Sequence, residues 1–248
     1  MPKTRLDQLL VARGLAQSRE RARALVLAGD ITVDGRPVTK AGALVSDEAD
    51  VKVRQPDHPW VGRGGIKLAH ALDAFALDVR DLTALDIGAS TGGFTDVLLA
   101  RGARHVVALD VGHNQLDWRL RSNPRVTCLE GVNARYLQPA DLPAGLREFD
   151  IVTIDVSFIS LAQILPSVPR LLSPTGRVVA LVKPQFEAGR DEIGAGGVIR
   201  DPAIHDRAIA RAAAAAHQVG LERLALTPSV VTGVEGNQEF FLLLGRPS

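Results

Sequence analysis

The stretch LDIGASTGGFTDVLLARGARHVVALDVG, from Leu85 to Gly112, constrains the fold more than any other. It opens on a short apolar run and turns through Gly88-Ala89-Ser90-Thr91-Gly92-Gly93. It continues with helical spacing and closes on a second apolar run that ends at Asp110. A strand, a glycine turn, a helix and a second strand form the unit of a doubly wound sheet, which holds its ligand beyond the carboxyl ends of the strands. The loop is not a dinucleotide fingerprint, because Ser90 stands where the second glycine is required, and it lacks the lysine of a phosphate-binding loop.

A nucleoside cofactor without phosphates fits such a loop, and S-adenosylmethionine is the remaining candidate. It needs a close backbone approach and an acid for its ribose hydroxyls. Asp110, at the end of the second strand, supplies the acid by the logic of ribose binding in such folds. Asp86, at the end of the first strand, is expected to hold the cofactor ammonium through water. The expected cofactor set is Asp86, Gly88, Ala89, Ser90, Gly92, Gly93, Asp110, Val111 and Asn133. The plain alternative is a tight strand-to-helix turn with no ligand.

Further strands are read at RVTCLEG, FDIVTIDVSF and GRVVALVKP, an amphipathic helix at HDRAIARAAAAAHQVG, and a closing strand pair at LALTPSVV and QEFFLLLG. Alternating strands and helices predict an α/β domain with a mostly parallel seven-stranded sheet covered on both faces. The final pair is expected to place one antiparallel strand near the edge. Asp86, Asp110, Asp155 and Lys183 all fall at strand carboxyl ends.

The first 40 residues read differently. They hold eight Lys/Arg against four Asp/Glu, although the whole chain carries a net charge of only +1. TRLDQLLVARG and SRERARALVLAG are two short helices, each stopped by a glycine, and Ser18 is the expected N-cap of the second. ITVDGRPVTK and ADVKVRQ add a small sheet with an Asp34-Gly35 turn. Arg19 and Arg23 share a helix face with Arg21 beside them, which is either a solvated face or a surface for phosphates.

RQPDHPWVGRGG breaks the periodicity. It sets the expected boundaries: residues 1–57 a small basic α+β module, 58–63 a linker, 64–248 the α/β domain. Trp60 is read either as a hydrophobic plug between domains or as part of a tether coupling the two halves. No apolar run reaches membrane-spanning length and the N-terminus lacks a signal-peptide core. Cys128 is the only cysteine, so neither an intrachain disulfide nor a thiolate metal cluster is expected. The simplest expectation is a soluble cytoplasmic monomer with no obligate protein partner and no metal.

RLDQLLVARGLAQSRERARALVLAGDITVDGRPV resembles the S4 RNA-binding domain, which implies docking on structured RNA through phosphates and shape. DVSFIS, LVKPQFE, GRGGIKLAHAL and NQEFFLLL resemble the TlyA/hemolysin A family, which joins an S4 domain to an FtsJ-like (RrmJ-like) ribose 2′-O-methyltransferase. The resemblance covers nearly the whole chain. It implies a Rossmann-like S-adenosylmethionine-dependent fold, ribosomal RNA as partner and a cytidine ribose as acceptor, with the large subunit favoured.

The same resemblance carries the family's catalytic tetrad onto Lys67, Asp155, Lys183 and Glu239. Lys183 is then the candidate general base, held by Asp155, and Lys67, held by Glu239, orients the hydroxyl. The residues agree with an oxygen acceptor. Cys128 lies inside a strand, and the N/D-P-P-Y/F signature of amine methylation is replaced by DVSF. The expected RNA contacts are Arg5, Arg19, Arg21, Arg23, Arg63, Arg135 and Phe158. Phe158 is read either as core packing or as a stacking partner for an extruded base. GRDEIGAGGVIRDP is read as a glycine-rich loop near the substrate entrance or an ordinary surface loop. Two rival readings are an assembly factor with a vestigial methyltransferase half, and a membrane-acting cytolysin.

Overall fold

A computed structural model describes residues 3–16, 18–27, 29–53, 58–189, 192–193, 197–233 and 236–247, with the side chain of Ala24 excepted. The end of the first expected domain, residues 54–57, and part of the glycine-rich loop lie outside the described residues. The backbone divides into two compact units, Met1–Pro59 and Trp60–Ser248.

In the first unit, β1 (Lys3–Arg5) leads into α1 (Leu6–Ala12), followed by α2 (Arg19–Leu27), β2 (Ile31–Val33), β3 (Arg36–Pro37), β4 (Leu44–Ser46) and β5 (Val51–Val53). Leu6, Leu9 and Leu10 of α1 pack against Ala22, Leu25 and Val26 of α2, all buried. The Ser18 hydroxyl accepts from the Arg21 amide at 3.1 Å, as expected of the N-cap. Gly14 and Gly29 take positive φ just beyond the helices. Strands β3, β2 and β5 form one sheet, and β1 pairs with β4 in another. This second pair has no counterpart in the sequence reading, because three-residue strands of mixed character leave no usable alternation.

The second unit is built on α3 (Gly64–Ala74), β6 (Thr83–Ile87), α4 (Gly93–Ala100), β7 (His105–Asp110), α5 (Trp118–Arg121), β8 (Val126–Glu130), β9 (Phe149–Ile154), α6 (Leu161–Ile164), β10 (Leu172–Val182), α7 (Pro184–Glu187), α8 (Pro202–Gln218), β11 (Glu222–Pro228) and β12 (Phe240–Gly245). Its seven-stranded sheet has the order β11-β12-β10-β9-β6-β7-β8. The strands pair in parallel except β12, which runs antiparallel to both β10 and β11. The central strands are apolar on both faces because both are covered. Leu85, Val107, Val152 and Val178 face one core, while Ala84, Val106, Ile151 and Val179 face the other. Helix α8 presents Ile209, Ala212 and Ala216 to the first core at helical spacing. Helices α3 and α4 pack on the second. The strand order reverses between β6 and β9, and this switch point is where a doubly wound sheet opens a ligand crevice.

Candidate active site

The switch point is tightly joined. The Asp155 amide donates to the Ile87 carbonyl at 2.9 Å. Gly88 has φ +84°, and a Cβ there would stand 2.2 Å from the Asp155 carbonyl oxygen. Only glycine tolerates both conditions. Ser90, in the position that a dinucleotide loop gives to glycine, itself takes φ +48°. Its amide donates to Asp110 Oδ2 at 2.8 Å, and the Gly112 amide donates to Asp110 Oδ1 at 2.7 Å.

A cavity of about 450 Å³ opens here, within the range of small-molecule sites. Gly88, Ser90, Asp110, Val111 and Asn133 line it from the expected cofactor set, with Asp155 and Phe158 beside them. Ile87, Val132, Ile159 and Ile164 give it apolar walls, while Gln115 and Ser157 add polar groups. Ala89, Gly92 and Gly93 do not line it. Gly92, at φ +98°, caps α4 in the left-handed region, and a Cβ there would strike Leu120. A Cβ on Gly93 would stand 2.9 Å from the Gly65 nitrogen, so this glycine lets α4 approach α3.

Asp86, expected to hold the cofactor ammonium through water, does not line the cavity. Its carboxyl is fully buried and accepts hydrogen bonds from Thr95 at 2.7 Å and Thr153 at 2.9 Å. Strand alternation turns it toward α4, the side opposite the Leu85 and Ile87 core. Burial pushes its pKa up to about 6, and the two threonine hydrogen bonds oppose that rise.

The same alternation gathers Asp155, Lys183 and Glu239. Ile151, Val179, Leu181, Phe241 and Leu243 all face the α3 side. Asp155, Lys183 and Glu239 are in phase with them and therefore share that face. Val182 pairs with Phe240, so the residues just beyond them, Lys183 and Glu239, are neighbours across the β10–β12 ladder. Lys183 Nζ pairs with Asp155 at 2.6 Å and donates to Ser157 Oγ at 2.9 Å. Lys67, on α3, pairs with Glu239 at 2.5 Å. Lys67 and Glu239 are both buried, at 8% and 2% exposure. Two lysine–carboxylate pairs thus stand side by side at the carboxyl edge of the sheet.

Phe158 is not core packing. It is 90% exposed, holds φ +63°, and lies 5.2 Å from the Phe186 ring. A bulky residue in the left-handed region is an outlier that neighbouring structure must maintain. The Asn133 side chain accepts from the Arg135 amide at 3.0 Å, and the Arg135 guanidinium lies over the exposed Tyr136 ring at 5.4 Å. Arg63 donates to the Thr232 carbonyl at 3.3 Å. Trp60 packs on Gly65 within the second unit.

In the first unit, Arg5 and Arg19 both reach the buried Asp7, at 2.9 and 3.4 Å. The Arg5 guanidinium holds the Asp7 carboxyl down at about 2. Arg21 is half-buried and Arg23 is exposed. Arg13 donates to the carbonyls of Ala49 and Asp47.

The fold and this site define an S-adenosylmethionine-dependent methyltransferase class. A methyltransferase of that class from Mesorhizobium loti has the same fold at 18% identity, with a TM-score of 0.55 over 75% of this chain and 100% of that one. Residues 60–246 match the FtsJ-like methyltransferase family and residues 4–51 match the S4 domain. The chain belongs to the FtsJ-like methyltransferase family and, within it, to the TlyA group. It is 46% identical over 243 residues to the 16S/23S rRNA (cytidine-2′-O)-methyltransferase TlyA of Mycobacterium tuberculosis, covering 98% of this chain and 90% of that protein. A solved structure from Streptococcus thermophilus, which bears a provisional hemolysin label, is 44% identical with a TM-score of 0.78 over 100% of this chain and 90% of that one.

Proposed function

We propose that the chain transfers a methyl group from S-adenosylmethionine to the ribose 2′-oxygen of a cytidine in ribosomal RNA. One observation carries this reading: the pairs Lys183–Asp155 and Lys67–Glu239 stand at the carboxyl edge of the sheet, and Asp155 reaches the cavity lining. The substrate is that named for the M. tuberculosis relative, and the S4 match supplies a unit for RNA.

The cavity suits the cofactor. Asp110 offers a carboxylate to ribose hydroxyls, Asn133 offers an amide, and Ile87, Val132 and Ile159 offer apolar cover for a purine. When bound, S-adenosylmethionine supplies an electrophilic methyl group on a positively charged sulfur. With its amine in the neutral form, Lys183 accepts the 2′-hydroxyl proton and becomes the ammonium that Asp155 stabilises, while Ser157 helps fix its direction. Lys67, fixed by Glu239, orients the hydroxyl for in-line approach. Cys128 is half-buried on β8, and burial pushes its thiol pKa up, so it is a poor nucleophile for a covalent route through a base carbon.

Exposed Arg23 and Arg135, with Arg19, Arg21, Arg5 and Arg63, contact RNA in this reading, and the exposed Phe158 ring stacks on an extruded base. Among the described residues no helix is long and apolar enough to cross a membrane, so the hemolysin label finds no support from such a helix. The test is methyl transfer to ribosomal RNA by Lys183→Ala beside calorimetric binding of S-adenosylmethionine. The variant is expected to bind the cofactor and transfer nothing. Near-normal transfer would refute the role given to Lys183.

A further inference from the structure

Two segments carry the site. One leaves β9 as Asp155-Val156-Ser157-Phe158-Ile159-Ser160, and the other leaves β10 as Lys183 followed by α7. The Lys183–Asp155 pair joins them at one end. At the other end the Glu187 carboxylate accepts from Ser160 Oγ at 2.6 Å and from the Leu161 amide at 2.7 Å. Between these points the Phe158 and Phe186 rings are in contact. Helix α7 is anchored on its other side, where Arg211 of α8 donates to the Glu187 carbonyl at 3.1 Å. Phe158 sits in a backbone conformation that costs energy, so something must hold the segment closed around it.

We infer that Glu187 is a positioning residue for methyl transfer: it clamps the Asp155–Ser160 segment to the Lys183 turn and so fixes the relative placement of Lys183, Asp155, Ser157 and Phe158. This rests on the methyltransferase reading above. Glu187 lies outside the cavity lining and pairs with neither lysine, so its effect passes through the segments it joins. A clamp predicts a split in the kinetics: turnover falls far more than cofactor affinity, because Gly88, Ser90, Asp110 and Asn133 line the cavity from segments Glu187 does not touch, and the Asp155 end of the clamped segment stays held by its backbone bond to Ile87. Displacing reacting groups by a fraction of an ångström to an ångström costs up to about a hundredfold in rate.

The experiment compares the full-length wild type with Glu187→Ala, Glu187→Gln and Ser160→Ala. It reads turnover on ribosomal RNA, calorimetric binding of S-adenosylmethionine, and amide hydrogen exchange of the Asp155–Gln163 peptide. Glu187→Ala is expected to lose roughly ten- to a hundredfold in turnover with cofactor Kd within about threefold. Exchange of that peptide is expected to quicken by about tenfold or more while the Leu85–Gly93 peptide stays as in wild type. Glu187→Gln keeps one acceptor for the Leu161 amide and is expected to restore most of both signals. Unchanged exchange, or unchanged turnover with quickened exchange, overturns the inference. A wild type that transfers nothing to RNA overturns the activity reading instead, and the exchange arm still decides whether the clamp exists. Should Glu187→Ala not fold, Ser160→Ala gives the same two readouts.

Discussion

The Asp86 carboxyl should give the methyltransferase unit a distinctive pH dependence. It is fully buried between Thr95 and Thr153, and its pKa rises from 3.8 to about 6. That rise is worth about 3 kcal/mol at ~1.4 kcal/mol per tenfold change in the ionisation constant. Its sign is fixed by linkage. Between about pH 4 and pH 6 the folded protein keeps a proton on Asp86 that the unfolded chain has released, so this group's contribution to stability falls as the pH rises through that window. Asp86→Asn removes the titration and keeps the shape. Its amide can accept from one threonine hydroxyl and donate to the other. Both tryptophans, Trp60 and Trp118, lie in the second unit, so their fluorescence in urea follows that unit alone. The stability of the variant relative to wild type should move in the variant's favour by about 3 kcal/mol between about pH 4 and pH 7. A difference that stays flat across the window would show that Asp86 titrates normally and would refute the burial argument.

Four further outcomes follow from the same geometry. Glu239→Ala strands the buried Lys67 charge and should cost about 3–5 kcal/mol in urea melts, whereas Lys67→Met with Glu239→Leu together should cost far less. Gly88→Ala places a Cβ against the Asp155 carbonyl at positive φ and should abolish cofactor binding or folding, which calorimetry and circular dichroism distinguish. Phe158→Gly should relieve backbone strain and raise stability by about 1 kcal/mol or more, while activity on folded RNA falls. Arg23→Ala is exposed and should leave stability within about 0.5 kcal/mol, yet weaken RNA binding and shrink its salt dependence by about one phosphate contact.

The sheet was legible because its strands are buried on both faces. FDIVTI and GRVVALV are apolar runs that leave little room for another reading. The antiparallel closing strand was equally clear from FFLLLG after a proline-containing run. The β1–β4 pair was not, because KTR and LVS are too short and mixed to carry a period. Site chemistry followed the same division. Asp110 and Asp155 sit where strand ends put them. Asp86 looks like a ligand in sequence, and its hydrogen bonds from Thr95 on the next helix and from Thr153, far along the chain, show a buried carboxyl held between strand and helix. Phe158 looks like core by residue type, and its exposure depends on a backbone angle that no motif records. Ser157 and Glu187 lay inside quoted motifs, but their roles depend on contacts between segments that sequence spacing does not show.

The most direct test of the account is transfer of a labelled methyl group from S-adenosylmethionine to ribosomal subunits from cells lacking the enzyme, with the labelled nucleotide then mapped. Wild type should place label on a cytidine ribose 2′-oxygen, and Lys183→Ala, with cofactor binding intact, should place none. Label on a base atom, or equal label from the variant, would contradict the ribose reading and the lysine–carboxylate site on which it stands.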